Sequence, residues 1–132
     1  MILEKGALVA VVDGEKLLMF TNVGDHAPHL SPLATPHMEE GRAGSGGHSS
    51  SSGNPDNDTQ AEDGFAAGVA AMLNKRALAG EMTYLVVVAA PKTLGELRKH
   101  WHKQLEAKLV GEIAKDMTGQ SAEEIAAAIA KV

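Results

Sequence analysis

Six histidines and a run of lysines and arginine are the residues whose chemistry stands out in this chain. His26 and His29 are spaced i, i+3 with His37 following, and His100 and His102 flank Trp101. Zinc needs three or four ligands in tetrahedral geometry, usually at better-defined spacing than these. On a helix, His100 and His102 would point about 200° apart and could not share an ion. Surface histidines are the better reading, so no metal and no other cofactor is expected. His48 is followed by Ser49 to Ser52, a base beside hydroxyls. Imidazole suits general-base work near neutral pH, but a Ser–His pair also needs an ordered acid partner. None is evident in the flanking sequence, and solvated loop residues account for the pattern.

The second candidate chemistry is phosphate recognition. Residues 92–108 carry Lys92, Arg98, Lys99, Lys103 and Lys108 against Glu96 and Glu106, a net of +3. Lys92 and Thr93 open a helix after an apolar strand, and free N–H groups there suit a phosphate, with Arg98 and Lys99 nearby. An ordinary capped helix with a solvated basic face explains the same residues. Residues 39–63 are the counterweight, with Glu39, Glu40, Asp56, Asp58, Glu62 and Asp63 against Arg42 alone. The whole chain has a formal net charge of -5, which argues against a surface that is nucleic-acid-binding throughout. Phe20, Phe65, Tyr84 and Trp101 are too few to build a base-stacking platform.

The elements that must position these groups belong to one domain, 1–132, a length that fits a single core. There is no cysteine, hence no disulfide, thiolate metal site or cysteine nucleophile. The N-terminus lacks the basic region and cleavage site of a secretory signal. No apolar run approaches the roughly 20 residues that span a bilayer. A cytoplasmic protein with no membrane contact is the expectation.

Two apolar runs around Asp13-Gly14 predict a hairpin of strands at about 7–12 and 16–22. Residues 29–35 read as a weaker third strand, demoted to an edge by Pro32. A Gly/Ser-rich loop at about 38–60 follows, of the flexible composition. Thr59 with Glu62 offers a capping box, and Phe65, Val69, Met72, Leu73 and Arg76 predict a helix over 62–79 closed by Gly80. Residues 82–90 lack polar alternation after Thr83 and read as a strand covered on both faces, the centre of the sheet. Thr93 and Glu96 offer another box, and Leu94, Leu97, Trp101 and Leu105 continue at helical spacing from about 94. Pattern alone leaves 108–116 open between strand and helix. Ser121 with Glu124 caps a last helix at about 122–131. The tally is an α/β layer fold.

The chain resembles the middle domain of class-one eukaryotic and archaeal release factors, and more closely the bacterial release-factor-like group called host-attachment proteins. The stretches that carry this are VVDGEKLLMF (11–20), GRAGSGGHS (41–49), FAAGVAAML (65–73), YLVVVAAPKTLGELRKH (84–100) and KDMTGQSAEEI (115–125). The resemblance implies a single mixed sheet of about five strands with helices packed on it, in a ribonuclease-H-like topology. It also implies that 108–115 is a strand.

In release factors the corresponding loop carries a Gly-Gly-Gln tip that helps water attack the peptidyl-tRNA ester. Here Gly46, Gly47 and His48 lie at that place, with Gly41 and Arg42 upstream and Ser49 downstream. The departure falls on the decisive residue, because His48 stands where glutamine should be. The resemblance therefore implies a non-catalytic factor associated with the ribosome or tRNA, through 41–49 and through Lys92, Thr93, Arg98, Lys99 and Lys103. Two alternatives differ in class. One is a peptidyl-tRNA ester hydrolase in ribosome rescue with His48 as catalytic residue. The other is a protein-interaction module of surface attachment or stress, with a protein partner and no nucleic acid.

Overall fold

The computed structural model describes residues 1–34 and 56–132. Leu8–Val12 (β1) and Leu17–Asn22 (β2) form the expected antiparallel hairpin, with Val12 opposite Leu17. Asp13 closes the turn with its own side chain. Its Oδ1 accepts from the Glu15 N–H at 2.7 Å and the Lys16 N–H at 2.6 Å. Leu30–Leu33 (β3) pairs antiparallel with β2 at the sheet edge, where the missing N–H of Pro32, opposite Phe20, is tolerated because no strand lies beyond it among the described residues.

A long helix, Asp56–Leu78 (α1), then leads to Leu85–Ala89 (β4), which pairs parallel with β1. Pro91–Arg98 (α2) and the short Lys103–Glu106 (α3) precede Leu109–Ala114 (β5), parallel to β4. Ala122–Ala130 (α4) closes the described chain. The order β3-β2-β1-β4-β5, an antiparallel meander continued by two parallel strands, is the ribonuclease-H-like arrangement. The fold is α/β, a single mixed sheet with helices on both faces.

Strand pleating divides the core in two. Leu8, Ala10, Val12, Leu85, Val87 and Ala89 face α1, α2 and α3, where they meet Val69, Leu73, Leu94, Leu97 and Leu105. Val9, Val11, Val86 and Val88 face the other way, against Ile125 and Ile129 of α4. This is why both central strands read as unbroken apolar runs. The segment 108–115 is a strand, as the release-factor resemblance implied. It joins β4 with an irregularity that leaves Val110 as the extra residue, since Leu85 pairs with Leu109 and Val86 with Gly111.

Four expectations need correction. The middle strand is β1, with β4 its neighbour; both are equally apolar, and only the pairing order separates them. α1 starts at Asp56, six residues early, so Thr59 lies inside the helix and the Thr59–Glu62 box does not cap it. The Thr93–Glu96 box does not form either. The N-cap of α2 is Ala90, with Pro91 in the first turn and no side-chain cap. Finally, the helix from 94 does not run through Trp101 to Leu105 but stops at Arg98 and restarts at Lys103. The Ser121–Glu124 box, by contrast, is complete in both directions, and Gly80 has the positive φ of 75° expected after a helix.

Among the described residues Asn22 is the buried polar side chain, 1% exposed. Its Nδ2 donates to the carbonyls of Leu3 and Glu4, and its Oδ1 accepts from the N–H groups of Gly24 and His29. All four side-chain bonding positions used, it ties the N-terminal segment to the entrance of β3.

Candidate functional site

The basic residues singled out in the sequence are split between the two ends of the sheet. Lys92 and Thr93 open α2 at the carboxyl ends of the parallel strands, whereas Arg98 closes it, Lys99 is its C-cap and Lys103 opens α3. Lys99 is seven positions on from Lys92, about 10 Å along the axis, and the two ammonium groups are turned to different carboxylates, Glu62 and Glu96.

At the carboxyl end, the Lys92 ammonium lies 3.8 Å from Glu62 on α1. Glu62 also packs over Gly14, where an added Cβ would come 2.8 Å from its Cγ. A side chain at position 14 would meet only the outer atoms of the flexible Glu62 side chain, which can swing aside. Beside it, Thr118 Oγ1 donates to Asp13 Oδ2 at 2.7 Å and lies 3.1 Å from Asp116 Oδ1. Burial pushes the Asp13 carboxyl up, but the Glu15 N–H, the Thr118 hydroxyl, the Lys16 N–H and the Lys16 charge together hold it below its ordinary value. A carboxylate so held is a weak base, so the pair serves to tie the β1–β2 turn to the segment after β5. Sequence reading used Asp13 only as a turn residue. Its bond to Thr118 had no local signal, because 105 residues separate them.

At the far end, charges are largely matched. Arg98 directs Nε and Nη2 to Glu112 Oε1 on β5, at 3.0 and 2.6 Å. Glu112 raises the Arg98 pKa through these hydrogen bonds and its charge. Lys99 Nζ donates to Glu96 at 3.0 Å, and His100 Nε2 lies 3.5 Å from the same carboxylate. The Lys99 hydrogen bond is the largest cause that holds Glu96 below its ordinary pKa, against a smaller opposing push from burial.

The break between α2 and α3 is built by Asn74 of α1. Its Nδ2 donates to the His100 carbonyl at 2.8 Å and its Oδ1 accepts from the His102 N–H at 2.9 Å. His102 then caps α3, with Nδ1 accepting from the Gln104 N–H at 3.0 Å. Trp101, between them, is half-buried against the core on the α1 side, and its buried indole N–H has no hydrogen-bond partner among the described residues. Asn74 was missed in the sequence; an Asn within a helical pattern gives no hint of a clamp 26 residues away. His100 and His102 sit in this turn, not on a helix, and among the described residues no three potential ligands converge on a metal position. Gly41, Arg42, Gly46, Gly47, His48 and Ser49, and His37 of the histidine set, lie outside the described residues.

No helix among the described residues is long and apolar enough to cross a membrane. No curated protein matches the chain. The model of bacterial archaeo-eukaryotic release factor family 12 matches residues 6–129, from just before β1 into the last turn of α4. That span contains every stretch that carried the likeness to release factors. The chain belongs to family 12 of the bacterial archaeo-eukaryotic release factors.

Proposed function

We propose that the protein is a release-factor-related binding factor that associates with the ribosome or tRNA and does not itself cleave the peptidyl-tRNA ester. The observation that carries this reading is membership of a release-factor family over nearly the whole chain. The basic segment supports it. Lys92, Thr93, Arg98, Lys99 and Lys103 lie along α2 and into α3, on the surface of an otherwise acidic protein. A protein of net charge -5 meets repulsion from RNA over most of its surface, so productive approach is confined to a local basic face.

The test is ribosome co-sedimentation across a salt series. The expected result is association at low salt that weakens as salt rises, because phosphate contacts release counterions. Absence from the ribosomal fraction at the lowest salt would sink the reading.

A further inference from the structure

We infer that the RNA-contacting face of this protein is the Asn74-clamped turn 100–103 together with Lys75 of α1, and that it takes a single-stranded RNA segment. The inference rests on the nucleic-acid reading above and moves its centre away from α2.

Three of the cations in the basic segment already have a carboxylate. Lys92 faces Glu62, Arg98 is held twice by Glu112, and Lys99 donates to Glu96. A phosphate at any of them sits beside a like charge or must displace the acid, which cancels most of the attraction. Lys75 and Lys103 differ. Both are exposed, and neither has a carboxylate within ion-pair distance among the described residues.

The clamp places these two lysines on adjoining elements. Lys75 follows Asn74 on α1, and Lys103 follows His102, whose N–H the Asn74 side chain holds. His102 spends Nδ1 on the α3 cap, so Nε2–H is its remaining donor, on an exposed ring. The same surface carries apolar area. Leu78 is 54% exposed and lies one helical turn beyond Asn74, and the chain's single tryptophan is half-buried between two exposed histidines. Cations for the backbone beside apolar and imidazole surface for an unstacked base are the chemistry of single-strand binding. The carboxylates nearby are Glu96, engaged by Lys99 and His100, and Glu106 of α3, which is exposed and limits the affinity.

Trp101 reports on this face directly. A labelled ten-nucleotide oligouridine is titrated with the full chain, read by the label's anisotropy and by Trp101 fluorescence, over a salt series. The expected result is binding with a Trp101 change and a log–log salt slope near -1.4, from two lysine–phosphate contacts at ~0.7 each. Lys75→Glu with Lys103→Glu weakens binding at least tenfold and flattens the slope by more than one unit. Lys115→Glu with Lys131→Glu makes the same change in net charge and retains most of the affinity. Circular dichroism melts confirm that both pairs fold. Oligouridine binding with no Trp101 change, equal binding by the Lys75/Lys103 pair, or no binding at low salt overturns the inference. Ribosome co-sedimentation of the same variants separates it from the broader reading. If the Lys75/Lys103 pair sediments like the wild type, this face is wrong and ribosome association stands. If oligouridine binds here but the wild type does not sediment, the face stands and the ribosome reading falls.

Discussion

Thr118 donates its hydroxyl proton to Asp13 at 2.7 Å, and this bond joins the turn after β1 to the segment after β5 across 105 residues of sequence. It holds together the carboxyl end of the parallel strands, the place where sheets of this class commonly present their chemistry.

Thr118→Val removes that donor, and the Asp13 carboxyl rises toward its ordinary value. The loss is about 1 kcal/mol at neutral pH. The sign follows from a folded pKa that lies below the unfolded one, near 4. The stabilisation is complete above about pH 4 and is lost as pH falls through the folded value. Urea unfolding at pH 7 and pH 3 checks this: the gap between wild type and variant should narrow in acid. A gap that widens there would refute the account.

Asn22→Ala removes four hydrogen bonds at a position 1% exposed and strands the N–H groups of Gly24 and His29. The expected loss is about 3 kcal/mol, the scale of a broken buried network. Asn22→Asp keeps the acceptor and loses the donor, and it brings a charge into a buried site, so it should also destabilise. Equilibrium denaturation measures both.

Asn74→Ala frees the His100 carbonyl and the His102 N–H from their clamp. The global cost is small, about 1–2 kcal/mol, because the turn is exposed. The local effect is larger: Trp101 becomes more mobile and its emission moves to the red. Fluorescence together with hydrogen exchange at 99–103 reports it.

By the release-factor resemblance, His48 is expected at the position of the glutamine, in a stretch outside the described residues. Purified protein is expected to leave ribosome-bound peptidyl-tRNA intact, and so is the His48→Ala variant. A peptide-release assay decides. Release that disappears in His48→Ala would assign catalysis to Gly46-Gly47-His48 and overturn the non-catalytic reading.

Much of the fold was legible wherever a periodic or capping signal acts locally. Asp13-Gly14 between apolar runs announced the hairpin, Pro32 the edge, and Ser121 with Glu124 the start of α4. Where two local signals competed, sequence misled. Leu94, Leu97, Trp101 and Leu105 keep helical spacing through a break, since Asn74 supplies from another helix the hydrogen bonds that make stopping favourable. Residues 108–116 fit either period until strand pairing with β4 settled them as β5.

For the candidate site the division is similar. Sequence by itself determined which residues are charged, that no cysteine chemistry exists, and that the chain carries release-factor features over nearly its whole length. Lys99 and Glu96 are an i,i+3 pair that linear spacing already allows. Only tertiary packing brought Glu62 of α1 to Lys92 and Glu112 of β5 to Arg98, across distances of a few ångströms that spacing does not encode. Lys75, outside the basic segment, and Lys103, within it, look alike in the sequence to Lys92 and Lys99. What separates them is where the sheet and the Asn74 clamp leave them without an acid.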